Sequence, residues 1–244
     1  MISTEWHLPD APLRASAVAT CVAGVVGAIA LAEAARTRLP VGNFFALKAV
    51  VIFSIVMLVA LGFLRRHHPY PSFGPANQVT TLRTMLVALV AALVGEPRFP
   101  VIATSAAAAS VVISVLDGVD GWLARRSGVA SRFGARFDME IDALLILVLA
   151  ILVNQFDKAG PWVILSGLLR YIFIAAGRYW PRLREPLFAS RRRQAVCVVQ
   201  ILALVVAILP AIQPPLSTGI AAVALAALAY SFLVDTRWLL RSAA

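Results

Sequence analysis

Asp117, Asp120, Asp138, Glu140 and Asp142 place five of the chain's twelve acidic residues between positions 117 and 142. Asp117, Asp120, Gly121 and Ala124 stand at i, i+3, i+4 and i+7, which is one helical face. Gly134, Asp138 and Asp142 stand at i, i+4 and i+8, again one face. Glu140 leaves its helix about 200° round from Asp138 and points elsewhere. A short loop joins the two segments, so they are expected to be antiparallel neighbours whose four aspartates converge. Four negative charges packed without a cation would repel, and some would have to take up protons. A hard divalent cation with oxygen ligands, Mg²⁺ or Mn²⁺, removes that conflict.

The same stretch is rich in small residues: Gly118, Gly121, Ala124 and Gly134. Small residues commonly serve close helix packing in membranes. They also leave room for a flat or phosphorylated ligand against the backbone, and Gly121, directly beside the acidic stripe, is read that way.

The elements that must position these groups are apolar. The chain has 244 residues, 61% hydrophobic and 14% charged, with mean hydropathy +0.86. A soluble domain is about half apolar and a quarter charged, so disorder is excluded and the composition argues against an ordinary cytosolic globule. Eight helices are expected, at about 15–35, 43–64, 78–95, 100–125, 134–155, 160–179, 194–212 and 217–238. An acid at membrane depth costs a few kcal/mol, so it is usually paired, hydrated or bound to an ion. Cys21 and Cys197 lie in apolar runs and read as buried thiols, with no metal spacing and no disulfide framework. Glu5 and Asp10 make a poor positive region for a cleaved signal peptide.

The net charge of +10 is carried almost entirely by arginine, since only Lys48 and Lys158 are lysine. The arginines cluster in alternate loops: Arg65 and Arg66, then Arg125, Arg126, Arg132 and Arg136, then the segment from Arg178 to Arg193, then Arg237 and Arg241. That pattern makes those loops cytoplasmic and suits contact with anionic lipid rather than nucleic acid. The active face is then cytoplasmic, in the cell inner membrane. Arg36 and Arg38 fall on the other side and conflict with the rule. The stretch 67–76, HHPYPSFGPA, is the best linker in the chain. It divides an N-terminal helix pair, 1–70, from a six-helix block, 71–244.

Written out, the acidic stretch is Asp117, two residues, Asp120-Gly121, two residues, Ala124-Arg125, eight residues, Gly134, three residues, Asp138, three residues, Asp142. It resembles the signature of the CDP-alcohol phosphotransferase family, D-x2-D-G-x2-A-R-x8-G-x3-D-x3-D, at every fixed position. The resemblance covers the six-helix block and not the first two spans. It implies an all-α integral membrane enzyme with a six-helix bundle, here preceded by two extra transmembrane helices. Such enzymes pass the phosphoryl-linked group of a CDP-linked alcohol, often CDP-diacylglycerol, to a second alcohol in phospholipid synthesis, and CMP leaves.

The resemblance further implies two divalent ions, Mg²⁺ or Mn²⁺, held by Asp117, Asp120, Asp138 and Asp142, with Asp142 also the base that deprotonates the acceptor. Gly121, Ala124 and Arg125 would line the CDP pocket. Arg125 could grip phosphate by two parallel bonds, whereas Arg126 reads as a positive-inside flank. Asn77, Thr80 and Arg83, at i, i+3 and i+6, are similar to an N-x2-T-x2-R pattern in family members and would contact CDP. Helix capping by Asn77 and interface snorkelling by Arg83 are the structural alternatives. Family members are commonly dimers.

The acceptor side is less specific. Arg170, inside an apolar span, is a functional candidate by its position or the partner of a carboxylate. Arg191, Arg192 and Arg193 open the seventh helix, where family members carry a basic segment that meets an acceptor phosphate. Topology and lipid headgroups explain the triplet equally. SRRRQ departs from the G-K-x-K-T form associated with glycerol-phosphate enzymes. Two other readings are open: transfer from a CDP-amino alcohol to diacylglycerol, and, from a different class, a divalent-cation transporter. A transporter predicts acids near mid-membrane, whereas these lie at the cytoplasmic edge beside arginine.

Overall fold

A computed structural model describes residues 11–67, 70, 72–127, 131–185 and 190–241. Among the described residues all regular structure is helical. The eight α-helices are α1 (Ala11–Arg36), α2 (Phe45–His67), α3 (Pro75–Ala92), α4 (Pro100–Ser127), α5 (Arg132–Gln155), α6 (Leu165–Tyr179), α7 (Arg191–Ile208) and α8 (Leu216–Arg241). Short 3₁₀ turns occupy Pro161–Ile164 and Pro181–Arg184.

The expected helices are all present, with shifted ends. α3 starts earlier than expected because Pro75 sits in its first turn, preceded by Gly74 at φ 81°. Proline tolerates the first turn, where its missing N–H has no partner to lose. α3 also ends earlier, at Ala92, ahead of a turn through Gly95 at φ 80°, a conformation that favours glycine. The sixth helix is shorter than expected: Pro161 opens a separate 3₁₀ turn, and the α-helix begins at Leu165.

Among the described residues four segments are long and apolar enough to cross a membrane by length and composition: Pro12–Arg36, Phe45–Gly62, Pro100–Leu123 and Leu216–Arg241. Side-chain exposure agrees with a lipid environment. On α2, Phe45, Ala49, Phe53 and Met57, spaced by four, are buried, while Leu47, Val51, Ile55 and Leu58 are exposed. A helix apolar on both faces belongs in a membrane or a large core. The chain is an integral membrane protein of all-α class.

The helices form two compact units. The first comprises the chain up to Pro97 together with Val112–Ile141. In it α1, α2 and α3 pack on one another. α1 approaches its neighbours closely at two glycines. A Cβ on Gly24 would lie 2.4 Å from the Phe53 ring, and one on Gly27 would lie 2.9 Å from Met85 Sδ. At one end Lys48 Nζ, which pairs with Glu96, also donates to the Val94 carbonyl at 3.2 Å. Glu96 accepts from the Gly42 N–H at 2.6 Å. At the other end the Phe73 N–H donates to Ser16 Oγ at 3.3 Å. Phe73 is buried against Phe133, which in turn meets Phe137. The C-terminal part of the expected linker is therefore anchored, while His68, Pro69 and Pro71 lie outside the described residues.

The second unit comprises Arg98–Val111 and the chain from Asp142. α7 packs along α8, whose buried stripe is Ala221, Ala224, Leu228, Ser231, Asp235 and Leu239. α5 and α6 meet where Gly167 lies against Leu147.

Candidate functional site

The site is built in the first unit from α3, α4 and α5. Asp117 and Asp120 come from α4 and Asp138 from α5, and one oxygen from each lies within 4.8 Å of the others. Asp120 is at the base, its side chain 6% exposed, while Asp117 and Asp138 open outward at 33% and 37%. The C-terminal part of α4 and the N-terminal part of α5 thus meet at these acids.

The surprise lies in the third helix. Arg83, fully buried on α3, reaches all three acids. Nη2 is 2.8 Å from Asp117 Oδ1, and Nη1 is 2.8 Å from Asp120 Oδ2 and also bonds Asp138 Oδ1. Arg83 therefore does not snorkel to the interface. Thr80, one turn earlier, places its hydroxyl 3.0 Å from the same Asp120 Oδ2 and 3.1 Å from the Ala76 carbonyl.

Asn77 does not cap α3. Gly74 is the N-cap residue, and the Asn77 amide donates instead to the Phe73 carbonyl at 2.5 Å. Its Oδ1 faces α5, and a Cβ on Gly134 would lie 2.9 Å from it. The glycine of the acidic stretch thus leaves room for Asn77. Locally, Ser131 Oγ accepts the Gly134 N–H at 3.0 Å and so satisfies an orphan donor in the first turn of α5.

The remaining expected residues are placed as follows. Asp142 stands one turn beyond Asp138 on α5, on the same helix face. Gly121 follows Asp120 and is half-buried. Ala124 and Arg125 continue the α4 backbone, but their side chains lie outside the described residues. Arg126 stacks on Trp122, 5.0 Å from the ring centroid, at an exposed position suited to the headgroup region. Gly118 has nothing within 4 Å of a built Cβ, so it is not at a tight helix crossing.

In the second unit Arg170 is half-buried on α6. Arg191 is exposed, whereas Arg192 donates to the Ser231 carbonyl at 3.0 Å and to Asp235 Oδ1 at 2.5 Å. Arg193 Nη1 lies 3.6 Å from the same Asp235 oxygen. Asp235 was not singled out from sequence. An acid near the end of an apolar helix, with an arginine triplet opening the helix before it, was the available signal.

The donor set fits a metal. It is oxygen-only, and metal–oxygen bonds of 2.0–2.6 Å put opposite ligands about 4–5 Å apart, comparable with the observed spread. One cation can therefore be shared by the three aspartates.

A sequence model of the CDP-alcohol phosphatidyltransferase family matches residues 73–234. Three similar curated proteins carry the name CDP-diacylglycerol–glycerol-3-phosphate 3-phosphatidyltransferase. The one from Bacillus subtilis is 28% identical over 109 residues, 40% of this chain and 56% of the relative. The one from Pseudomonas fluorescens is 31% identical over 142 residues, 53% of this chain and 69% of the relative. The one from Escherichia coli K12 is 35% identical over 109 residues, 43% of this chain and 59% of the relative. The chain thus spans little more than half the length of two of these relatives and about two thirds of the third. No solved structure matches.

Proposed function

The chain belongs to the CDP-alcohol phosphatidyltransferase family, and from that membership we propose that it transfers a phosphatidyl group from CDP-diacylglycerol to an acceptor alcohol, releasing CMP, in phospholipid synthesis. The observation that carries this reading is the cluster of Asp117, Asp120 and Asp138, whose oxygens lie within 4.8 Å of one another beside buried Arg83. The block 71–244 is the catalytic domain and 1–70 an accessory helix pair. The site faces the cytoplasm at the inner membrane, an orientation that the arginine-rich loops support.

Asp117, Asp120, Asp138 and Asp142 would hold two divalent ions, Mg²⁺ or Mn²⁺. Bound there, such ions neutralise charge on the attacked phosphoryl oxygens and on the departing phosphate. Asp142 takes the proton of the acceptor hydroxyl. The acceptor oxygen bonds to the lipid-side phosphorus, the bond from that phosphorus to the bridging oxygen breaks, and CMP departs with the electron pair. Arg125, Arg83, Thr80 and Asn77 orient the CDP portion, with Gly121 and Ala124 giving it room against α4. Arg170 and the triplet Arg191–Arg193 serve the acceptor side. Asp235 draws Arg192 and Arg193 toward α8, which leaves Arg191 as the exposed donor of the triplet.

The test is CMP release from CDP-diacylglycerol by the purified protein. Release that requires Mg²⁺ or Mn²⁺ and stops with EDTA supports the reading. Turnover of CDP-diacylglycerol that continues after EDTA treatment overturns the metal assignment, and divalent-cation flux in liposomes without CMP release overturns the enzyme.

A further inference from the structure

We propose that Arg83 is a resident counter-ion that exchanges partners: it holds the three aspartates together, and it turns from them to the substrate diphosphate when they take a divalent cation. The inference rests on the reading that these aspartates bind metal. It goes beyond that reading by giving one arginine two successive partners and so coupling metal loading to nucleotide binding.

Three observations carry it. First, Arg83 is fully buried, yet its terminal nitrogens gather one oxygen from each of Asp117, Asp120 and Asp138. Second, the gathered residues are the same three whose oxygens lie within 4.8 Å of one another. A cation placed among those oxygens meets the guanidinium hydrogens as rivals for the same lone pairs, and meets the guanidinium charge as a repulsion in a low-dielectric setting. Third, the charges do not balance. Three carboxylate side chains facing one guanidinium leave a negative excess that draws a cation to the open rim of Asp117 and Asp138.

Arg83 has a reason to exist in this position. A carboxylate as buried as Asp120 is costly without a partner. A planar guanidinium with several fixed donors can bridge three carboxylates, which a lysine ammonium on a flexible stem does less well. Once the aspartates have a cation, the same fork matches a phosphate. Thr80 supports the exchange, because its hydroxyl also meets Asp120 Oδ2 and remains with it when Arg83 turns.

Two titrations on the purified, membrane-mimetic-embedded protein decide the matter: Mn²⁺ alone, and CDP in saturating Mn²⁺, each followed by calorimetry. Arg83→Gln should bind Mn²⁺ at least about tenfold tighter than the wild type, because one like charge and one set of competing donors are removed. The same variant should bind CDP at least about tenfold more weakly, because a charge-assisted donor is lost. Opposite signs for the two ligands are the signature, since a merely structural role would weaken both. Arg83→Lys, which keeps the charge without the fork, should fall between the two proteins for both ligands. It decides the question in the same way if Arg83→Gln does not fold. Mn²⁺ affinity that is unchanged or weaker in the variants overturns the competition. CDP affinity that is unchanged or tighter overturns the hand-over. A wild-type protein that takes up no Mn²⁺ overturns the metal reading itself, a separate outcome from either of these.

Discussion

Asp120, Asp117 and Asp138 differ in what surrounds them, and that difference orders the chemistry. Asp120 is the buried floor, held by Thr80 and Arg83, while Asp117 and Asp138 form the open rim. A cation must enter over the rim. Asp117→Asn, Asp120→Asn, Asp138→Asn and Asp142→Asn are each expected to lower CMP release by about 100-fold or more, since metal positioning and base catalysis each contribute on that order. Glu140→Gln is expected to be nearly silent, because Glu140 leaves α5 on another face. Radiolabelled CMP release from the five variants checks this, and a Glu140 variant as damaged as the Asp138 variant would count against the shared-face argument.

Helix crossings set the next scale. Gly167 has Leu147 Cα 2.4 Å from its built Cβ, so the obstacle is backbone and cannot swing away. Gly118, by contrast, has nothing within 4 Å. Gly167→Ala should therefore destabilise the protein by about 1–3 kcal/mol through overpacking. Gly118→Ala should be neutral or slightly stabilising, by up to about 1 kcal/mol, because alanine is the better helix former. Thermal unfolding of both variants in the same detergent separates them, and equal melting temperatures would contradict the crossing. Gly134 belongs with the tight positions, yet its neighbour is the Asn77 side chain. An alanine there must move Asn77, so activity should fall further than stability does.

Each unit is pinned within itself by polar contacts: Glu96 with Lys48 and the Gly42 N–H in the first, and Asp235 with Arg192 in the second. The N-terminal helix pair supplies one wall of α3, the helix that carries Arg83. Orientation follows from the arginine loops. In a background without Cys21 and Cys197, a cysteine replacing exposed Arg126 should resist an impermeant thiol reagent added outside intact cells, and one replacing exposed Arg98 should react. The reverse pattern would invert the topology. Arg36, which conflicts with the charge rule, lies in an exposed ion pair with Glu33 at 3.0 Å. That pair lowers the net charge it presents.

Much of this protein was legible in its sequence because membrane helices announce themselves by composition, and helical spacing alone determines which aspartates share a face. The eight helices, the faces shared by Asp117 with Asp120 and by Asp138 with Asp142, and the family signature all follow from local pattern, whereas the four-aspartate convergence expected from it is seen in the cluster for Asp117, Asp120 and Asp138. Helix ends followed less well, since Pro75, Gly95 and Pro161 punctuate the chain through backbone geometry that competes with hydropathy. Long-range partnership was decided only by the tertiary structure. Spacing could put Arg83 and Thr80 on one face of α3, but which groups that face would meet depends on how α3, α4 and α5 pack. The same holds for Asp235 with Arg192, and for Asn77, which reads locally as a cap and is used instead between the Phe73 carbonyl and the bare backbone of Gly134. A buried charge is satisfied by whichever opposite charge packing brings within reach, and that information is carried by the fold rather than by neighbours in the chain.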